Sequence, residues 1–142
     1  MKKVISHLIV FIAVFSYLPS VQAADADAAK QPSTQRVISH ADLKKTLETP
    51  GSVIILDLRR NDDYNKDTLT MPTSRRFDPD KIAEWSGALP KDKEILLFCA
   101  HGRSISNAAV DYLTKNGYKA RLIAGGFDSW KDAGGATVPK SP

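Results

Sequence analysis

The chain has 142 residues, 25% of them charged, with a formal charge of +4 and a single cysteine. That length fits one domain and leaves little room for two, and one thiol excludes an internal disulfide. The small positive excess is weak ground for a nucleic-acid partner, and none is expected.

Lys2 and Lys3 open the chain, Leu8 to Leu18 is a nearly unbroken apolar run, and Val21-Gln22-Ala23 ends it with small residues at cleavage-site spacing. The pattern predicts a secretory signal over 1–23, cut after Ala23, and a periplasmic or otherwise exported product. The run is short for a bilayer span and no stop-transfer pattern follows, so no stable membrane insertion is expected after cleavage. An uncleaved anchor is the alternative. Cleavage removes two lysines and no acid, lowering the formal charge from +4 to about +2. Residues 24–35 are small and polar and read as a flexible linker. One domain is expected over 36–138, with a tail at 139–142.

Val37-Ile38 reads as a short strand. Ser39 is placed as an N-cap, with Leu43 and Leu47 on one face of a helix that ends before Pro50-Gly51. Val53 to Leu58 is a compact apolar strand of the fully buried kind. Asn61 to Tyr64 reads as a turn or short helix, and Thr68 to Phe77 shows no clean period and reads as loop. Asp78-Pro79 is a helix start leading to Trp85. Ile95 to Phe98 is a second apolar strand. Cys99 to Ser104 follows it directly, and Ile105, Ala108, Ala109, Tyr112 and Leu113 continue at helical spacing until Gly117. Ala120 to Ile123 is a further strand, and Gly125-Gly126 turns the chain into a last helix holding Phe127 and Trp130. Strands alternating with helices predict an α/β fold with a mainly parallel sheet covered on both faces.

Cys99 falls at the carboxyl end of a strand, where open α/β sheets place their ligand sites. Loop N–H groups and the start of the next helix favour a thiolate there. Gly102 permits a sharp turn, His101 and Arg103 add positive or proton-donating groups, and Ser104 offers a cap or a hydroxyl bond. A buried, inert cysteine in a plain connection is the bland alternative. Spacing narrows the chemistry further. A cysteine phosphatase needs an arginine six residues after the nucleophile, where Ile105 stands. A dithiol oxidoreductase needs a second cysteine, and position 102 is glycine. One cysteine and two histidines beyond the signal make a sparse metal ligand set, so no metal or cofactor is expected. A lone sulfur nucleophile in an anion-holding loop remains, able to attack an outer sulfur atom and keep it as a persulfide.

From Ser39 to about Gly134 the chain resembles the rhodanese family. The pieces are Leu56-Asp57-Leu58-Arg59, the strand into Cys99-Ala-His-Gly-Arg-Ser104, Asn116-Gly117-Tyr118, and Leu122-Ile-Ala-Gly-Gly-Phe-Asp-Ser-Trp130. The resemblance implies a three-layer α/β/α domain and a sulfurtransferase of the thiosulfate:cyanide type. It makes Cys99 the persulfide carrier and Ala100, His101, Gly102, Arg103 and Ser104 the active loop. It makes Asp57 and Arg59 the support of that loop. The expected partners are a small anionic sulfur donor and a thiol or other thiophilic acceptor. Thr68 to Phe77 departs from the family pattern and retains only Pro72 of a Gly-His-Ile-Pro-Gly-Ala-like stretch. With Arg60, Trp85, Leu89-Pro90 and His101-Gly102, it resembles more loosely a subgroup associated with chromate resistance. Arg75 and Arg76 are candidates for the substrate mouth, with a solvated basic patch as the alternative. Two other readings stay open: a non-catalytic exported module that binds a partner or an anion, and a single-thiol redox or oxyanion-handling protein.

Overall fold

A computed structural model describes residues 36–140 of the chain; the expected signal and linker lie outside them. Five strands form one parallel sheet: β1 (Val37–Ile38), β2 (Val53–Asp57), β4 (Arg75–Arg76), β5 (Glu94–Phe98) and β6 (Lys119–Ile123). Their spatial order is β1-β6-β5-β2-β4, with Asp57 level with Phe98 and Leu97 level with Leu122. β5 is central, so its residues need apolar partners on both faces. Ile95 and Leu97 enter the core under the long helix α4 (Ser104–Lys115), against Ala109, Val110 and Leu113. Leu96 and Phe98 point the other way, into a core closed by Leu43 of α1 (His40–Leu47) and by Phe127 and Trp130 of α5 (Gly126–Asp132). Trp130 is fully buried. The period-2 alternation of the strands therefore produces the expected α/β/α layering.

Local signals set the helix starts. The Asp42 amide donates to the Ser39 hydroxyl at 3.1 Å. Asp78 caps a 3-10 turn, with Pro79 in its first positions, that runs into α3 (Ile82–Trp85). The short α2 (Asn61–Lys66) occupies the segment read as a turn or helix.

Two segments differ from expectation. The stretch read as loop between Thr68 and Phe77 holds β4 and a second short strand, β3 (Leu69–Thr70). β3 pairs antiparallel with β7 (Val138–Pro139), and Lys140 donates its amide to the Thr68 carbonyl at 3.0 Å. Pro139 and Lys140, read as the start of a tail, are thus paired with β3 and its flank. A two-residue strand is too short to show a period, and the partner of β3 lies far along the chain. No local signal marks either. Among the described residues, no helix is long and apolar enough to cross a membrane.

Candidate active site

Cys99 directly follows β5, and α4 begins at Ser104, so the loop between them lies at the carboxyl end of the central strand. α5 holds this loop in place. The first amides of a helix have no partner inside it, and α5 lacks a side-chain cap. The Phe127 amide instead donates to the Cys99 carbonyl at 2.9 Å, and the Asp128 amide to the Ala100 carbonyl at 3.1 Å. In a trans peptide the N–H points opposite to the C=O. Fixing those two carbonyls on α5 therefore turns the amides of Ala100 and His101 away from α5, leaving them free to face a bound anion. This close approach requires glycine. A Cβ on Gly126, at φ +71°, would lie 2.4 Å from both the Cys99 oxygen and the Gly102 nitrogen. A Cβ on Gly102, at φ +62°, would lie 2.7 Å from the Gly126 nitrogen.

Cys99 is 4% exposed, and its sulfur lies 3.2 Å from the hydroxyl of Ser106, which is fully buried. A thiolate only accepts, so in that state the Ser106 hydroxyl is the donor. Cys99, Ala100, His101, Arg103 and Ser104 line a pocket of about 150 Å³ together with Ile105 and Asp63. Gly102 shapes its turn without lining it. His101 Nδ1 lies 2.8 Å from Asp128 Oδ2 on α5. Arg103 is exposed and forms no ion pair among the described residues, so its charge is available to the pocket. Ser104 is exposed at the first position of α4 and makes no capping bond. The hydroxyl that meets the sulfur comes from Ser106 instead.

Asp57 and Arg59 sit behind the loop and are each 1% exposed. Arg59 Nε donates to both carboxylate oxygens of Asp57, at 2.9 and 3.0 Å, and Nη2 donates to the Leu69 carbonyl at 3.1 Å. The guanidinium lies 4.2 Å from the centre of the Phe127 ring. Phe127 is the residue whose amide holds Cys99, so the pair buttresses the loop through α5. A second ionic chain runs alongside. Asp128 contacts Lys131 at 3.4 Å, and Lys131 pairs with Asp67. Burial alone pushes the Asp67 carboxyl up, but the Lys131 hydrogen bond, the Leu69 amide and the charges of Lys131 and Arg59 together hold it below its ordinary value. The Asp67 hydrogen bond raises Lys131 above its own, against the opposing effect of burial.

Arg76 donates to the Arg59 carbonyl at 2.9 Å and to Asn61 Oδ1 at 2.8 Å, while Arg75 is exposed on the edge strand β4. Neither lines the Cys99 pocket. Three residues that do shape the site carry no sequence signal of their own. Ser106 is one of several small polar residues in α4, and Asp63 and Asp128 are acids on other helices that only the fold brings to the loop. Among the described residues, no cluster of three or more His, Cys, Asp or Glu has the spacing to hold a metal.

A parallel α/β sheet whose central strand runs directly into a loop holding the single cysteine is the arrangement that defines the class of domain. The Rhodanese-like domain family model matches residues 39–133, and the chain belongs to that family. The thiosulfate sulfurtransferase GlpE of Coxiella burnetii is 30% identical over 95 residues, covering 66% of this chain and 85% of that one. A rhodanese-related protein from Thermoplasma volcanium superposes with a TM-score of 0.65 at 28% identity, over 74% of this chain and 99% of the other. A rhodanese-like domain protein from Staphylococcus aureus gives 0.63 at 27% identity, over 75% and 99%.

Proposed function

We propose that the protein is an exported sulfurtransferase that carries sulfane sulfur on Cys99 from an anionic donor such as thiosulfate to a thiophilic acceptor. Similarity to thiosulfate sulfurtransferases supports sulfur-transfer function in general. The observation that carries the specific reading is Cys99 among the residues lining a small pocket, on a loop whose carbonyls are tied back to α5. The Cys99 thiolate attacks the outer sulfur of thiosulfate; a new S–S bond forms, the donor's S–S bond breaks, and sulfite leaves. The persulfide's terminal charge is the kind that loop amides and the Ser106 hydroxyl stabilise. Cyanide or a thiolate then takes the outer sulfur and regenerates the Cys99 thiolate. A module that only binds would be expected to close its loop mouth, and the pocket lined by Cys99 favours the enzyme over that alternative.

Intact mass spectrometry after incubation with thiosulfate tests this reading. A gain of one sulfur atom that cyanide reverses is expected, and Cys99→Ala should show neither the gain nor turnover. Sulfur transfer by that variant at the wild-type rate would exclude the mechanism. N-terminal sequencing of the exported protein should begin at Ala24.

A further inference from the structure

His101 and Asp128 are 59% and 46% exposed at their side chains, and an exposed pair of this kind adds little to stability. Its geometry is more informative. A carboxylate only accepts, so the 2.8 Å contact places a proton on His101 Nδ1. In the neutral ring the second nitrogen, Nε2, is then an acceptor, and it makes no hydrogen bond among the described residues. His101 lines the same pocket as Cys99. Asp128 is itself fixed, by its amide on the Ala100 carbonyl and by Lys131 at 3.4 Å. An imidazole with its tautomer set by a carboxylate, on a pocket that a cysteine also lines, is equipped to take a proton through its free nitrogen.

We propose that His101 is a catalytic residue in the discharge step, accepting the proton of a thiol acceptor, and that Asp128 is its positioning residue. This rests on the Cys99 persulfide reading. The acceptor's S–H bond breaks and its proton passes to Nε2. The resulting thiolate attacks the outer sulfur of the persulfide, the Cys99 S–S bond breaks, and the acceptor leaves as a persulfide anion while Cys99 returns to thiolate. One S–S bond breaks as another forms and the transferred sulfur keeps its oxidation state, so no oxidant or reductant is required, and the proton is lost to water. The charged groups facing His101 are Asp128 and Lys131 from α5, Asp63 from α2, and Cys99 and Arg103 from the loop. Arg103 is placed to offset the repulsion between the two anions.

An ordinary thiol, ionising near pH 8.5, is only about 3% thiolate at pH 7, so delivering it as thiolate is worth up to about 30-fold. The experiment compares discharge of preloaded persulfide protein to the cysteine tripeptide glutathione and to sulfite, whose dianion attacks without losing a proton. For His101→Gln the ratio of thiol to sulfite rates at pH 7 should fall by about 30-fold, and for Asp128→Asn it should fall by a smaller factor. Both ratios should recover above pH 9, where the thiol ionises unaided, and imidazole in the buffer should restore thiol discharge to His101→Ala. Equal losses with both acceptors, or no recovery at high pH and with imidazole, would overturn the proposal and leave the pair a loop clamp. Failure of the wild type to load sulfur at all would instead sink the persulfide reading, and the mass measurement separates the two.

Discussion

Replacing Gly126 with alanine tests whether contact between α5 and the loop governs the chemistry. The added Cβ would stand 2.4 Å from the Cys99 oxygen and the Gly102 nitrogen and 2.8 Å from the Ala100 oxygen. All three are backbone atoms, so no side chain can swing away. Ordinary contact begins near 3.4 Å, and the loop must therefore move by about 1 Å. Left-handed backbone in a non-glycine residue costs about 1–2 kcal/mol, and forced overpacking adds about 1–3 kcal/mol. Each kcal/mol lowers the melting temperature of a domain near 100 residues by about 4–8 °C. A displacement of about 1 Å at the reacting centre lowers the rate of sulfur loading by about 100-fold. Gly51 provides a matched control: its φ is +76°, and a Cβ there meets nothing within 4 Å. Gly51→Ala should lose only the backbone cost and load sulfur at the wild-type rate. Calorimetry with single-turnover sulfite release measures both quantities. A Gly126→Ala protein that loads as fast as Gly51→Ala would show that the tied-back carbonyls do not set the site.

Two further outcomes follow from the charges around the loop. Arg103→Gln should raise KM for thiosulfate by up to about fivefold at low salt, with a smaller effect on kcat, because an exposed charge acts mainly in capture. The difference should shrink at high ionic strength, and equal KM values at low salt would remove Arg103 from the binding site. Asp67 is held below its ordinary value of 3.8, so its contribution to stability is present above pH 3.8 and is lost as pH falls through its folded value. Lys131 is raised above 10.5, so its contribution is present below pH 10.5 and is lost as pH rises through its folded value. Denaturant unfolding of Asp67→Asn should therefore show its largest deficit at neutral pH and none once the wild-type carboxyl is protonated. A deficit that persists unchanged into acid would show that the ion pair is not its cause.

What the sequence makes legible are features with local causes. Ser39 and Asp78-Pro79 announce helix starts, and the apolar runs ending at Leu58 and Phe98 announce buried strands. The cysteine loop declares itself through Gly102 and the helical stripe after it. The sheet face of each core residue follows from alternation alone. Features joined by distant parts of the chain are not legible. The pairing of Leu69 with Pro139 has no signature at either end. Asp63 lines the pocket and Asp128 meets His101 only because the fold brings α2 and α5 to the loop after β5. Arg76 shows why a basic pair in sequence is an ambiguous sign: its guanidinium is occupied by the Arg59 carbonyl and Asn61, behind the loop.

The support of the loop also explains why an arginine is buried in so small a domain. A buried ion pair is weak grounds for stability, because desolvation offsets much of its attraction. Arg59 even leaves Nη1 without a hydrogen bond, 4.0 Å from Asp67 Oδ2. An aliphatic side chain of similar size would fill the space. It would not join the end of β2 through Asp57, β3 through the Leu69 carbonyl, and α5 through the Phe127 ring. Those three contacts fix the elements whose relative positions set where Phe127 and Asp128 present their amides. Those amides determine which way the Cys99 and Ala100 carbonyls point, and hence which way the loop N–H groups face. The ionic chain from Asp67 through Lys131 and Asp128 reaches His101 from the same side. The residues around Cys99 are thus held by one continuous polar support, and its buried end is better understood as fixing geometry than as adding stability.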